Sequence, residues 1–531
     1  MNTEKKAISL DAVASLCKRR GFIYQSSEIY GGINGFWDYG PLGSELKRNV
    51  KDAWWHDVVR TREDVVGVDC SLIMNPKVWE ASGHLGGFSD PMLTCHQCKK
   101  HFRADHLQDQ LAQSEWIDSL RSFAEDGEDG AQRYSERGLK KWASKKGRRL
   151  APGLALIREP EAVWPKLAAA LEAGGDSLAF EEVASCVIGA DEAGASSLCP
   201  ACGGGLTEPR QFNLMFKTFV GAMEDSASVA YLRPETAQGI FCNYRNVLDS
   251  SRVKVPFGIA QIGRSFRNEI NPRNYTFRSR EFEQMELEFF CHPSEADKWY
   301  EFWRDARYNW YVNLGLQSSK LTLRDHEGDE LAHYARACAD VEYEFPFGIS
   351  ELEGIANRTD FDLKQHQEFS GKDMRYFDDQ TREKFIPHVI EPSGGVDRAT
   401  LAFLCEAYTE DEVPDDKGNL RSRTLMKLHP RLAPFKLAVF PLVKKDGMPE
   451  AARKITDDCK AAGIAAFYDE KGAIGRRYRR QDEAGTPYCI TVDGETMESQ
   501  TVTIRDRDSL VQERVSADKV VECIRDRISK A

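Results

Sequence analysis

Residues 256–288, PFGIAQIGRSFRNEINPRNYTFRSREFEQMELE, constrain this chain more than any other stretch. Two runs of strand-like alternation flank a polar loop rich in Asn, Pro and Arg, which is the pattern of a long β-hairpin. Five arginines (Arg264, Arg267, Arg273, Arg278, Arg280) stand beside five glutamates (Glu269, Glu281, Glu283, Glu286, Glu288). Opposed charges at alternating positions are expected to point into one face. A face of guanidinium forks and carboxylates suits a ligand with both phosphate and ammonium groups. The plain alternative is a solvated hairpin with surface ion pairs. Against it, Phe266, Phe277 and Phe282 interleave with the charges, and Phe289 and Phe290 follow directly.

At 531 residues the chain exceeds a single core, and about three domains are expected. No apolar run approaches the ~20 residues needed to cross a bilayer, and the polar start reads as a short amphipathic helix ending at Gly21 rather than a signal peptide. The fourteen cysteines are mostly scattered, as in a cytoplasmic protein. Residues 431–531 hold 19 Lys and Arg against 17 Asp and Glu, whereas the whole chain holds 72 against 84. Basic density therefore sits at the C-terminal end of an acidic protein, and a local tract can still meet nucleic acid.

Pro41 opens a helical repeat of Leu42, Leu46, Val50, Ala53, Trp54 and Val58, predicting a helix to about Arg60. VVGVDCSLIM then alternates like a strand and meets Pro76. Residues 104–198 differ in texture: helical stretches joined by EDGEDG and KKWASKKGRR mark an inserted, mainly helical domain. KKGRR is either an exposed basic turn or a contact for RNA phosphates. The insertion is bounded by Cys95-His-Gln-Cys98 and Cys199-Pro-Ala-Cys202, the second followed by Gly203-Gly204-Gly205. Two such knuckles complete a four-cysteine zinc site, a structural one because four thiolates leave no open position. Reduced, buried thiols without metal are the alternative. Residues 292–385 form a variable block with a helix near 294–313 and a tight turn framed by Glu351 and Glu353. PHVIEPSGGVDR reads as a buried strand, a glycine turn and a helix from Val396. The last hundred residues alternate apolar strands with helical segments, a compact α/β domain. There Arg476, Arg477, Arg479 and Arg480 surround Tyr478, suited to phosphates and a stacked base, or merely to solubility.

The hairpin and the 391–398 segment together resemble motifs 2 and 3 of class II aminoacyl-tRNA synthetases. Motif 2 is similar to Phe266-Arg267-Asn268-Glu269 with Arg278-Ser-Arg-Glu-Phe282 beyond the loop; motif 3 is similar to Gly394-Gly395-Val396-Asp397-Arg398. The helix 41–60 with the strand reaching Pro76 resembles motif 1, which in that class builds a homodimer interface. Within the class, SSEIYGG, DYGPLG, ASGH, LTEPRQFNLMF, LRPETAQG, RNEINPRNYTFRSREFEQME, EPSGGVDR, RRQDEAGTPYC and TVTIRDRD resemble the homodimeric glycyl-tRNA synthetases. The resemblance covers the chain except for 104–198.

It implies an α+β fold: an antiparallel β-sheet catalytic domain flanked by helices (1–103 and 199–428), the inserted domain, and an α/β anticodon-binding domain (429–531). It implies ATP with Mg2+, glycine and glycine tRNA as ligands. Arg267 is expected to bridge the α-phosphate and the amino acid carboxylate, with Arg278 and Arg398 on the γ-phosphate. Phe282 and Arg398 would sandwich adenine, Glu269 would meet its amino group, and Glu351 with Leu352 would edge the Mg2+ and ribose. Asn268, Phe277, Ser279, Arg280, Glu281, Gly395, Val396 and Asp397 complete the expected ATP segments. The glycine segments are Phe282, Glu283, Gln284, Met285 and Glu286, then Glu391, Pro392, Ser393, Gly394 and Gly395, with Arg103 beside them. Glycine has no side chain to grip, so Glu235, Glu286 and Glu391 are nominated to read its ammonium; structural ion pairs with nearby arginines are the alternative for each. Two other readings stand: a non-catalytic, nucleic-acid-binding accessory subunit of the same fold, and a synthetase for serine, threonine or proline. The presence of Arg267, Arg278 and Arg398 argues against the first, and the glutamates of RPETAQG and EPSGGVDR against the second.

Overall fold

The computed structural model describes residues 8–107, 199–202, 205–327, 335–414 and 420–531, with positions 110, 141, 144, 145 and 331. The helical stretches expected within 104–198, most of KKGRR, and Gly203 and Gly204 lie outside these residues. The chain divides into two compact units, Met1–His84 with Met215–Ala531, and Leu85–Leu214. Among the described residues no helix is long and apolar enough to cross a membrane.

In the first unit helix α1 (Leu10–Arg20) begins where the Ser9 hydroxyl accepts from the Ala12 N–H, and ends at Gly21, φ 79°, as expected. Helix α2 (Pro41–Trp55) starts on proline and continues through a π turn at His56–Arg60. Leu46, Val50, Ala53 and Trp54 form its buried stripe. The strand expected to reach Pro76 is only β1 (Val65–Gly67). Beyond it, the Cys70 carbonyl accepts from Arg233 Nη1 at 2.8 Å and the Leu72 carbonyl from the Arg233 N–H at 3.1 Å. A buried arginine loop thus satisfies backbone that a neighbouring strand would otherwise pair.

The central sheet adds β2 (Phe257–Phe266), β3 (Glu281–Cys291), β4 (Leu321–Asp325), β5 (Ala337–Phe345), β6 (Gly348–Thr359) and β7 (His388–Gly395). Its order is β4-β5-β6-β7-β3-β2-β1. Neighbours are antiparallel except the β1–β2 pair. Helices α3 (Ala237–Ser251), α4 (Ala296–Asn313), α5 (Phe361–Ser370) and α6 (Val396–Ala407) flank it. One face packs Met285, Leu287 and Phe289 against Val50 and Trp54 of α2, Trp303 and Trp310 of α4, and Leu401 of α6. On the other face α3 and α5 cover only one end, through Ile240, Phe241, Tyr244 and Leu363 against Phe257, Ile259 and Phe290. The rest of that face carries a cavity.

Two expected turns are strand. Glu351 and Glu353 lie within β6, where Val341 pairs with Glu353 and Glu342 with Glu351, leaving Leu352 as an extra residue. Such a bulge flips the alternation, so the two glutamates point to opposite faces. Gly394 and Gly395 likewise continue β7 up to the first residue of α6, with Gly395 at φ −83°. A side chain at Gly394 would come within 3.0 Å of Glu353 Oε2, which explains glycine there by close approach and not by turning.

The C-terminal residues form a five-stranded mixed sheet of β8 (Leu437–Pro441), β9 (Ala466–Tyr468), β10 (Tyr488–Val492), β11 (Thr501–Asp506) and β12 (Gln512–Ser516). Its order is β9-β8-β10-β11-β12. Helices α7 (Met448–Ala461), α8 (Ile474–Ala484) and α9 (Val520–Ser529) accompany it, and its core is its own. In the second unit Ser89–Thr94 pairs antiparallel with His101–Arg103 and with Arg210–Asn213.

Candidate active site

The β2–β3 register pairs Arg264 with Glu283, Gly263 with Gln284 and Gln261 with Glu286. Directly opposed residues share a face, so the single charged face expected of the hairpin is in fact two. Glu281 and Glu283 stand on the α2 side with Arg264 and Met285; Phe282, Gln284, Glu286 and Glu288 stand on the opposite side.

On the α2 side Lys47 Nζ lies 2.8 Å from Glu283 and 2.7 Å from Asp397, and Lys51 lies 3.0 Å from Glu283. Asp397 also accepts from the Tyr39 hydroxyl and the Glu283 N–H, each at 2.7 Å. Burial acts to raise the Glu283 carboxyl, but Lys47 and Lys51 outweigh it and hold it below its ordinary value. These contacts tie α2, the hairpin and the start of α6 together. Glu281 pairs with Arg264 at 2.6 Å, and Met285 is in the core. Glu281, Glu283 and Met285, expected in the ligand segments, therefore lie on the α2 side, where Glu281 and Glu283 line a second cavity of about 520 Å3 and Met285 is core.

The opposite side holds a cavity of about 330 Å3 lined by Arg267, Glu269, Arg278 and Ser279 of the hairpin, by Glu351 and Leu352 of β6, and by Glu391, Ser393, Gly394, Gly395 and Arg398 of motif 3. Phe277, Phe282, Gln284 and Asp397 complete that wall. The Arg267 guanidinium sits 5.4 Å over the Phe282 ring and donates through Nε to the Pro234 carbonyl at 3.1 Å. Arg398 lies 4.5 Å over Phe277 and 3.1 Å from Glu351 Oε2. Burial acts to raise the Glu351 carboxyl, and Arg398 and Arg267 more than reverse it. Both residues expected to sandwich adenine reach the cavity, though Arg398 rests on Phe277. Arg280 instead donates to the carbonyls of Asn34 at 2.7 Å and Glu269 at 2.8 Å, pinning the hairpin loop. Asn268 does not line the cavity, and Pro392 and Val396 are buried beside the residues that do. His326, Cys338 and Asp340 of the far wall were not anticipated; His326 Nε2 and Asp340 Oδ2 are 2.8 Å apart.

Next to this cavity the carboxylates converge. Glu286, 2% exposed, accepts from the Thr236 hydroxyl and from Ser393 Oγ at 2.8 Å. Glu391 accepts from Arg358 Nη1 at 2.8 Å, while Arg358 also grips Asp362 through Nε at 2.8 Å. Glu235 lies 3.4 Å from His84 and accepts from Gln238 at 3.0 Å. Burial raises the Glu286 carboxyl, and Glu235 raises it further. Glu391 is pushed up to about 8, chiefly by burial. Glu235 goes the other way: burial acts upward, but His84, Arg358 and Gln238 bring it below its usual range. The loop presenting Glu235 is anchored by Arg233, 1% exposed, whose Nε donates to the Arg264 carbonyl at 2.7 Å. Gly263 leaves room for it, since a Cβ there would meet Arg233 at 2.2 Å. Arg358 and His84 were missed as members of this cluster. His84 closes the ASGH run quoted above, and the local signal for Arg358 was its spacing to Asp362, which reads as an ordinary helical ion pair.

Arg103 lies in the second unit, 3.0 Å from Asp90 and 2.6 Å from Asp105. The same unit brings Cys95, Cys98, Cys199 and Cys202 together, all sulfurs within 4.8 Å of one another. Cys95 and Cys202 are 3.5 Å apart and Cys98 and Cys199 3.7 Å. A zinc tetrahedron with bonds of about 2.3 Å has edges of about 3.8 Å, so the donor set fits that ion. In the C-terminal domain the arginine cluster lies on α8 rather than on a loop. Arg477 is buried and donates to the Pro441 carbonyl at 2.6 Å; Arg480 reaches the Lys471 carbonyl at 2.7 Å; Arg476 is exposed and Arg479 partly so.

Residues 436–527 match the family model described as an anticodon binding domain. The chain is 51% identical to the glycine–tRNA ligase of Rhodopirellula baltica, covering 98% of this chain and 99% of that protein. It is 44% identical to the glycine–tRNA ligase of Treponema denticola, over 99% and 98% respectively. A solved prolyl-tRNA synthetase from Cryptosporidium parvum, complexed with halofuginone and AMPPNP, superposes with a TM-score of 0.58. That match is 11% identical and covers 99% of this chain and 79% of the other, a likeness of fold. The fold is that of class II aminoacyl-tRNA synthetases, and the chain belongs to the glycine–tRNA ligase family.

Proposed function

We propose that this protein joins glycine to glycine tRNA in two steps, and that the observation carrying this reading is the buried cluster of Glu235, Glu286 and Glu391 beside an arginine-lined cavity. In the first step a carboxylate oxygen of glycine attacks the α-phosphorus of ATP, the bond to the leaving diphosphate breaks, and glycyl-adenylate forms. In the second a ribose hydroxyl at the tRNA end attacks the glycyl carbonyl and AMP leaves. The glycine carboxylate is already a nucleophile at neutral pH, so catalysis is positioning and charge neutralisation. Arg267 bridges the α-phosphate and the carboxylate, and Arg278 and Arg398 hold the γ-phosphate. Glu269 meets the adenine amino group, with Phe282 and Arg398 on the ring faces. Glu351, with Leu352 beside it in the cavity wall, edges the ribose and would offer a carboxylate oxygen to Mg2+, which when bound would offset phosphate charge. Glu235, Glu286 and Glu391, with Ser393, read the ammonium and fill the volume a larger amino acid would need. A single methyl is worth only ~1–3 kcal/mol of apolar discrimination, so alanine must be refused by clash.

The same reading makes the enzyme a homodimer, which the 89% and 86% exposed Ile29 and Tyr30 support. It makes the four cysteines a structural zinc site, and Arg103 a contact for substrate. The exposed part of the α8 arginine cluster serves tRNA. A cytoplasmic location agrees with a cysteine quartet that zinc requires in reduced form. The test is glycine-dependent exchange of pyrophosphate into ATP. Exchange with glycine, none with alanine or serine, and its abolition in Arg267→Ala with the fold retained are expected; equal exchange with alanine, or near-normal exchange in the variant, would sink the reading.

A further inference from the structure

Glu288 is the hairpin carboxylate that neither the cavity nor the contacts of Glu235, Glu286 and Glu391 account for. It is 0% exposed, and among the described residues neither of its enclosed carboxyl oxygens has a donor. The β3–β7 register pairs Glu286 with Ser393 and Phe289 with Ile390, which brings Glu288 opposite Glu391. Carboxyl oxygens of Glu286, Glu288 and Glu391 all lie within 4.8 Å of one another. Two like charges directly opposed on a sheet repel, and a buried carboxylate with no donor is far costlier than its neutral acid. Of the pair, Glu391 is the one with a cation: Arg358 meets it at 2.8 Å and turns Nε and Nη2 to Asp362. The other titratable groups around the cluster are Glu286 on β3, Glu235 before α3, and Asp362 and His366 on α5. Burial, Glu391 and Glu286 all push the Glu288 carboxyl well above its ordinary range, against the opposing pull of Arg358.

We propose that Glu288 is a positioning residue of the glycine pocket: it stays a neutral carboxylic acid and, once the substrate ammonium has ionised Glu391, donates its O–H to that carboxylate, holding it beside Ser393. The role rests on the ammonium site proposed above and extends it one residue deeper. Glu391 then carries the charge, steadied on one side by Arg358 and on the other by an O–H donor that adds no charge of its own. Three ionised carboxylates side by side would instead splay apart in an enclosed space, and glycine would meet a pocket of the wrong shape.

The test compares Glu288→Ala, Glu288→Gln and Glu286→Gln in the full-length protein by glycine-dependent pyrophosphate exchange, with glycine and ATP titrated separately. Glutamine keeps the volume and an N–H donor but has no charge to lose. Losing a donor to a charged group is expected to raise the glycine KM of Glu288→Ala about tenfold or more, with the ATP KM unmoved and most of the loss recovered in Glu288→Gln. Infrared spectra of the glycine-saturated enzyme near neutral pH should show the carbonyl stretch of a protonated, dry carboxyl that Glu288→Gln removes. The proposal is overturned by a Glu288→Gln enzyme as poor in glycine as Glu288→Ala, by an unchanged glycine KM in Glu288→Ala, or by an infrared band that survives. An unchanged glycine KM in Glu286→Gln would instead bring down the ammonium site itself.

Discussion

Arg358 reaches Glu391 at 2.8 Å, yet burial, aided by Glu286 and Glu235, pushes the Glu391 carboxyl up to about 8. That inversion has a consequence for substrate. Below about 8 the unliganded group holds a proton, and an ammonium must displace it to pair with the carboxylate. Above that value the carboxylate is ready. The glycine KM should therefore fall as pH rises from about 6 toward 8, by up to about tenfold per unit for one displaced proton. ATP, whose proposed partners are arginines and not Glu391, should show no such slope. Titrating both substrates over this interval checks it, and parallel slopes would remove Glu391 from the ammonium site. Such residues were only half legible in the sequence. The motifs exposed Glu286, Glu391 and Arg267, because each belongs to a run whose neighbours carry chemistry. Arg358 and His84 are far from those runs and arrive through sheet register and helix docking. Glu353 reads from the sequence as framing a tight turn with Glu351, but the bulge at Leu352 turns it inward onto Arg307 at 2.6 Å and Tyr311 at 2.9 Å.

That same carboxylate decides what β7 tolerates. Gly394 faces Glu353 across the β6–β7 pair, and an added methyl would sit 3.0 Å from Oε2 and 3.2 Å from the carboxyl carbon. Gly394→Ala must push Glu353 away from Arg307 and Tyr311. Overpacking costs about 1–3 kcal/mol, approaching the loss from a broken buried ion pair if Arg307 is abandoned. A lowered thermal midpoint is expected for Gly394→Ala, against no change for Gly494→Ala, where a Cβ meets nothing within 4 Å. Equal midpoints would show that Glu353 shifts without penalty. From the sequence the two glycines look like a turn, because glycine marks a positive φ and a close approach with the same letter. The hairpin itself was readable from its alternation, but a period of two cannot say which side each charge meets until the partner helices are known. The cysteine knuckles are the opposite case. Their spacing alone predicted the quartet that the second unit assembles, across a separation of about a hundred residues whose closure is otherwise unfavourable. Metal analysis of chelator-washed protein should return about one zinc per chain, and stripping it under denaturing conditions should impede refolding of that unit. A metal-free protein of undiminished stability would return the thiols to ordinary core packing.

Across the whole molecule, the class II motifs and the anticodon-binding match fall on separate cores. The class II motifs lie around the central sheet, while 436–527 match an anticodon-binding domain whose core is distinct. The sequence announced that division through its charge: 19 basic against 17 acidic residues in 431–531, in a chain that is acidic overall. It could not say which arginines are free to meet a polyanion, because α8 presents one face inward. Arg477, 3% exposed, donates to the carbonyls of Pro441 and Leu442. Arg477→Ala leaves those carbonyls wanting and should lower stability by about 1–3 kcal/mol, harming both steps alike. Arg476 points to solvent one residue earlier. Arg476→Glu should spare glycine-dependent pyrophosphate exchange, which needs no tRNA, and raise the tRNA KM in aminoacylation. A lost phosphate contact also flattens the slope of log affinity against log salt by about 0.7–0.9. Measuring exchange, aminoacylation and salt slope on the two variants separates a structural arginine from a contacting one. A change in exchange for Arg476→Glu, or an unaltered tRNA KM and salt slope, would take α8 out of the tRNA interface.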